Sequence, residues 1–274
     1  MIYQSAGERI RAELFKILQT SDAYSVISQM AEHRLLFEIF PELMALKGCE
    51  QNRHHAFDVF DHTLSALYHL EKFMQSSPDI SMDTETAGLL KFAILLHDIG
   101  KPACKTLDES GNAHFYGHEQ ISANMAAIIC ERLRCSNAES RTIDTIIRNH
   151  LRPLLLFPNP SQRAVTRFFM KFGENTPLLL YHAIADDRGK GVSENSEFTD
   201  FAHDLIRQFE QRFTPRLNIP PLISGHDLIE IFGLRPSPMF REILTMIAEE
   251  QFSGNINSKE EALNLTEQFL RHHS

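Results

Sequence analysis

The residues from Ala87 to Leu96 are apolar nearly all the way round a helix, and they run straight into His97-Asp98-Ile99-Gly100. A helix of this length without a polar face belongs in the middle of a protein. The His-Asp pair at its end is then in or beside the interior. A buried carboxylate costs on the order of several kcal/mol unless a cation or a donor meets it. This segment therefore predicts a central helix that ends on a polar site, and a metal ion would offset the cost of that site.

The rest of the chain reads as further helices. Ser5-Ala6-Gly7-Glu8 has the form of a capping box, and Ile10, Leu14, Ile17 and Leu18 follow at helical spacing. A second stripe runs through Tyr24, Ile27, Met30 and Ala31 to Leu35 and Leu36, and Pro41 stops the next short piece. From Asp58, the residues Val59, Phe60, Leu64, Leu67, Leu70 and Phe73 mark a long helix, which Ser76-Ser77-Pro78-Asp79 ends as a turn. Further helices are expected at 118–134, 138–150, 161–172, 176–187, 196–213 and 239–251, with a short one ending at Phe232. Ser258 with Glu261 three residues on opens the last. Sustained period-2 alternation is missing, so the expected fold class is all-α. Pro215 and Pro220-Pro221 are the clearest linker. The expected organisation is a helical neck over 1–50, a helical core over 51–213 and a helical arm over 219–274.

Composition excludes several classes. The chain has 274 residues with 27 Lys and Arg against 36 Asp and Glu, a net charge of −9, which argues against binding nucleic acid through bulk electrostatics. No apolar run approaches the roughly 18 residues of a membrane span, and the first residues, Met1-Ile2-Tyr3-Gln4-Ser5, lack the pattern of a secretory leader. Cys49, Cys104, Cys130 and Cys135 include no C-x-x-C pair and read as buried thiols in a reducing compartment, so a cytoplasmic location without membrane contact is expected. The 14 histidines are the one excess, and imidazole is the commonest metal ligand.

The polar residues able to bind a metal fall in order along the core: His62, His97-Asp98, His114, His118, His150 and Asp186. A single histidine is more often a hydrogen-bonded core or surface residue, and His33, His69, His203, His226, His272 and His273 are read that way. Separate ordinary explanations for His62, His97, Asp98, His118, His150 and Asp186 in one helical segment are harder to sustain. Gly100 is expected to let the backbone turn sharply after the pair, and Lys101 to point a cation into the same cleft for an anionic group such as phosphate.

The order His62, then His97-Asp98 within Leu95-Leu96-His97-Asp98-Ile99-Gly100-Lys101-Pro102, then Asp186, resembles the HD superfamily of metal-dependent phosphohydrolases. A closer resemblance is to the HD-bearing C-terminal portion of bacterial tRNA nucleotidyltransferases. It is carried by His54-His55-Ala56-Phe57-Asp58-Val59-Phe60-Asp61-His62-Thr63-Leu64, by Phe115-Tyr116-Gly117-His118-Glu119 and by Ala185-Asp186-Asp187-Arg188-Gly189. The neck, from Glu8-Arg9-Ile10 to Phe40-Pro41-Glu42-Leu43, and the arm, from Pro220-Pro221-Leu222-Ile223-Ser224-Gly225 to Gly233-Leu234-Arg235-Pro236, resemble the same proteins. The resemblance implies a first divalent metal on His62, His97, Asp98 and Asp186, and a second on His118 and His150 with Asp98 bridging. The mixed ligand set favours Mn, Fe, Co, Ni or Zn over Mg. Asp98 and Lys101 are the candidate catalytic residues; Lys101, and more weakly Arg188, are the candidates to clamp a phosphate, and His114 is expected to support the ligands or face the substrate rather than bind metal. Arg188 alternatively forms an ion pair at a helix end. His182, four residues before Asp186, would share a helix face with it and orient the carboxylate.

The Gly-rich turn, Arg-Asp and Asp-x-Asp of a nucleotidyltransferase head do not occur in this sequence, so nucleotide addition is not expected of these residues alone. A P-loop is absent too, and Gly189-Lys190-Gly191 means only a turn. The leading expectation is a phosphatase or phosphodiesterase acting on a nucleotide or a 2′,3′-cyclic phosphate. Its partner would be a small phosphorylated substrate or an RNA end, and a separate nucleotidyltransferase polypeptide could supply the head. The alternatives are a non-catalytic RNA- or partner-binding module and a di-iron oxygenase of HD type.

Overall fold

The computed structural model describes residues 2–52, 56–76, 82–192 and 196–273. They are helical almost throughout, as the missing alternation predicts, and form two compact units: Met1–Phe157 with Pro177–His203, and Pro158–Thr176 with Asp204–Ser274.

At the heart of the first unit is α5 (Thr84–Leu96). Asp83 starts it, accepting both the amide and the hydroxyl of Thr86 at 2.8 Å. Every residue from Ala87 to Leu96 is buried. Around it pack α1 (Ile2–Leu18), α4 (Val59–Ser76) and α8 (Asn137–Asn149), and α7 (His118–Arg132) runs against α8. The long helix expected from Asp58 is α4: the Asp58 carboxylate accepts the Asp61 amide at 2.8 Å. Its last described residue is Ser76, and the turn expected at Ser77-Pro78-Asp79 lies outside the described residues. α1 begins at Ile2, so Ser5 sits inside the helix rather than at the N-cap its capping-box pattern predicts. The helical ladder is already running where that box would start it.

Apolar periodicity does not disclose a lysine in the central helix. Lys91 is 3% exposed, and its Nζ donates to Glu71 of α4 at 2.6 Å. The same carboxylate accepts the amides of Ala23 and Tyr24, at 2.8 and 3.1 Å, where α2 (Ala23–Glu32) begins. Asp22, at the N-cap, makes no side-chain cap of its own. Glu71 thus ties three helices together and satisfies donors that α2 would leave orphaned.

After α2 come α3 (Leu35–Ile39) and, opening on Pro41, a 3₁₀ turn over Pro41–Leu46. Beyond α5, the short α6 (Lys101–Cys104) leads into a hairpin of β1 (Thr106–Leu107) and β2 (Ala113–His114), antiparallel with Thr106 opposite His114. This hairpin leaves the all-α class intact; two residues per strand are too few to show alternation in the sequence. α8 opens on a capping box between Ser136 and Glu139, and α9 (Arg152–Leu156) follows it.

Gly100 does not provide the sharp turn expected of it, since its φ of −83° is open to any residue. Its role is close approach. A Cβ there would stand 2.6 Å from the Ser122 amide nitrogen and 2.9 Å from the His118 carbonyl oxygen, both backbone atoms of α7. Gly100→Ala should therefore push α7 away and lower stability by about 1–3 kcal/mol, measured by urea unfolding. Gly189, at the end of α11 (Thr176–Gly189), is used in the same way against the Ala66 backbone of α4.

The second unit is built from α10 (Gln162–Phe172), the end of α12 (Ser196–Gln208), α13 (Gly225–Phe232), α14 (Pro238–Ser253) and α15 (Lys259–His273). Ile223, Leu228, Ile243, Ile247, Ile256 and Ala262 form one core. The helix expected over 196–213 stops being α-helical at Gln208 and continues as a π turn, Phe209–Phe213, with both phenylalanines packed on Phe169. α10 packs against α14, because Glu249, 4% exposed, accepts from both Arg163 and Arg167. Packing thus groups 158–176 and 204–213 with the arm rather than with the core, and the neck with the first unit. A boundary read from prolines cannot register such an exchange of helices. Among the described residues no helix is long and apolar enough to cross a membrane, Cys49 and Cys130 are buried, and Cys104 and Cys135 are half-buried.

Candidate metal centre

α4, α5, α7, α8 and α11 bring His62, His97, Asp98, His118, His150 and Asp186 together, all buried. Two sets share Asp98. In the first, His62 Nε2 lies 2.9 Å from Asp186 Oδ1 and 3.5 Å from Asp98 Oδ2, and His97 Nε2 lies 3.1 Å from Asp98 Oδ2 and 3.3 Å from Asp186 Oδ1. In the second, His118 Nε2 lies 3.3 Å from Asp98 Oδ1 and 3.2 Å from His150 Nε2. Donors held about 2.0–2.2 Å from one ion, at angles near 90–110°, stand about 2.8–3.6 Å apart. All six separations fall in that span. Asp98 turns one oxygen to each set.

The ring orientations match. His97 Nδ1 donates to the Ile94 carbonyl at 2.7 Å, His150 Nδ1 to Ile147 at 2.7 Å and His118 Nδ1 to Phe115 at 2.8 Å. Each bond places the proton on Nδ1 and leaves the Nε2 lone pair facing the cluster. His97 and His150 are also the C-caps of α5 and α8, where the partial negative charge of a helix end favours a cation.

Without an ion the cluster is electrostatically awkward. Burial lowers the His97 pKa, but Asp98 and Asp186 beside it outweigh that and raise it to about 10. Burial and the positive His97 push His150 down to about 3. Burial raises both carboxyls, yet Asp98 is held well below its usual range by His97 and Lys101, and Asp186 by a hydrogen bond from His62 and by His97 beside it. Among the described residues Asp98 Oδ1, Asp98 Oδ2 and His97 Nε2 have no hydrogen-bond partner of good geometry, although Lys101 Nζ stands 2.6 Å from Oδ2 as an ion pair. Divalent cations would answer these charges and orphaned lone pairs together, so the residues fit a metal.

The other site residues expected from sequence are placed unevenly. Lys101 is buried at the cluster, also donating to Gln51 at 2.7 Å and lying 5.5 Å from the Phe115 ring centre. Arg188 stacks over Phe73, 5.9 Å from its ring centre. His114 belongs to the hairpin, bonded to Asp108 and Tyr116, and is outside both ligand sets. His182 is fully buried, but it does not bond Asp186. Its ring packs against those of His97 and His150, at 5.0 and 5.5 Å, and among the described residues neither of its nitrogens has a hydrogen-bond partner. Helical spacing gives a shared face and leaves the ring free to turn along it. The resemblance drawn on His54-His55 falls outside the described residues.

Comparison with known proteins agrees with this geometry. Residues 59–272 match the HD domain, so this chain belongs to the HD-domain family. Residues 2–47 match the region described as the probable RNA and SrmB-binding site of polymerase A. The A-adding tRNA nucleotidyltransferase of Deinococcus radiodurans is 31% identical over 265 residues, covering 94% of this chain and 57% of that protein. The CC-adding tRNA nucleotidyltransferase of Thermus thermophilus is 29% identical over 260 residues, covering 94% of this chain and 55% of that protein. The chain thus spans about half the length of these curated relatives.

Proposed function

We propose that this HD-domain chain is a metal-dependent phosphohydrolase, a phosphatase or phosphodiesterase whose substrate is a nucleotide or a 2′,3′-cyclic phosphate. The observation that carries the reading is Asp98, whose two oxygens face two separate sets of imidazoles at ligand spacing while a buried lysine stands beside it. His62, His97, Asp98 and Asp186 would hold one ion, and Asp98, His118 and His150 a second. When bound, such a pair supplies positive charge for phosphoryl oxygens and makes hydroxide available near neutral pH. Lys101 adds a fixed cation that does not depend on the ions, and it serves the same phosphoryl oxygens. An RNA end as substrate is supported by the match of residues 2–47 to an RNA-binding region and by the tRNA enzymes among the relatives.

Metal titration should approach two ions per chain. His118→Ala or His150→Ala should lower that number while one ion remains, because neither residue contributes to the His62, His97, Asp98, Asp186 set. The activity test uses protein loaded with Mn, Co or Ni against phosphomonoesters, nucleotides and cyclic phosphates. Hydrolysis in none of these combinations would overturn the reading and favour a binding module or an oxygenase.

A further inference from the structure

The segment leading into His118 carries an aromatic surface that metal binding does not require. Tyr116 is 79% exposed, and its ring lies parallel to that of His114, tilted by 6° with centroids 5.4 Å apart. An exposed tyrosine is ordinary on a protein surface. This one differs in how firmly it is held. Asp108 accepts the Asn112 amide at 2.8 Å, the Asn112 side chain at 2.9 Å and the Ser110 amide at 2.9 Å, and its other contact is His114 Nε2 at 3.2 Å. A carboxylate only accepts, so Nε2 carries the proton and Nδ1 is left to accept from the Tyr116 hydroxyl, 3.3 Å away. Ordering a tyrosine in water in this way loses side-chain entropy for no burial in return. A ligand stacking on its open face would gain from that order.

Phe115 links this segment to the phosphate side of the cluster. Phe115, the neighbour of Tyr116, lies with its ring 5.5 Å from Lys101 Nζ, which is 2.6 Å from Asp98 Oδ2. The Phe115 carbonyl also accepts from His118 Nδ1, on the ring whose other nitrogen faces Asp98. A molecule with a phosphoryl group at Lys101 and a flat apolar ring beyond it matches that sequence of contacts. We propose that the Tyr116–His114 surface stacks the base of a nucleoside phosphate, making Tyr116 the residue that separates nucleotides from simple sugar phosphates at this site. The inference rests on the phosphohydrolase reading. Stacking tolerates every base, because each has a π face, so purine and pyrimidine nucleotides are both accepted.

The test compares metal-loaded wild type with Tyr116→Ala and Tyr116→Phe. Two readouts are taken: binding of adenosine by ligand-observed NMR, and kcat/KM for adenosine monophosphate against ribose 5-phosphate. In Tyr116→Ala, adenosine affinity and the preference for the nucleotide should both fall about 5- to 150-fold, the range expected for one lost base–aromatic stack. Activity on ribose 5-phosphate should stay at the wild-type level, and Tyr116→Phe should retain the preference. Wild type hydrolysing both esters equally well, or Tyr116→Ala keeping the wild-type preference, would overturn the stacking role while the phosphohydrolase reading stands. Hydrolysis of neither ester, joined by no binding of adenosine, would overturn the stacking role, and the phosphohydrolase reading falls with it only if cyclic phosphates are left intact as well.

Discussion

Asp98→Asn should lose bound metal and hydrolytic activity together. The substitution keeps the shape of the side chain but replaces one acceptor oxygen with an NH₂ group, which presents hydrogens to a cation. Since Oδ2 faces His62 and His97 while Oδ1 faces His118, either orientation of the amide spoils one set and removes the negative charge from both. Metal content by elemental analysis should fall well below that of His150→Ala. Activity should fall further than in Lys101→Ala, for which loss of one charge-stabilising donor predicts about 10²–10³ in rate with the ions retained. Circular dichroism should show both variants folded, because the apolar core of α5 does not depend on the site. Retention of full metal content by Asp98→Asn would exclude the bridging arrangement.

The largest stability effect should come from Lys91→Met. Glu71 is 5% exposed and would remain buried with no cation beside it. Breaking a buried pair from one side costs about 3–5 kcal/mol, a large share of the about 5–15 kcal/mol that holds a domain folded. The double variant Glu71→Leu/Lys91→Met should recover most of this, since neither charge remains. It should fall short of wild type by about 1 kcal/mol, the usual worth of a helix cap, because the Ala23 and Tyr24 amides lose the acceptor that Asp22 does not replace. Urea unfolding of these two variants, of the single Glu71→Leu variant and of wild type measures the cycle.

How much of this could be read in advance depended on whether the signal was local. His97-Asp98 at the end of an apolar helix is a local anomaly, and it pointed to a buried polar site; the ordered histidines and Asp186 then supplied partners of the right chemistry. The pairing of Lys91 with Glu71 left no such trace. A lone lysine in an apolar run does not say which residue meets it 20 positions upstream. Sequence marks Gly100 for its conformational freedom, whereas the fold uses its small size, which depends on how near α7 passes. Tyr116 was legible only as part of the Phe115-Tyr116-Gly117-His118 motif. Its exposure and its alignment with His114 come from a hairpin too short to leave a pattern. The exchange of α10 into the second unit rests on two arginines reaching one buried glutamate across about 80 residues, which periodicity does not encode.

The Nδ1 bonds from His97 and His150 to the carbonyls three residues earlier have a kinetic corollary. Each ring is clipped to the final turn of its own helix, so it cannot swivel away from an ion while that turn stays wound. Release of an ion held by these rings would then be coupled to fraying of the ends of α5 and α8. For metal-loaded protein, the rate at which a strong chelator removes the ion should track hydrogen exchange at the amides of the same turns.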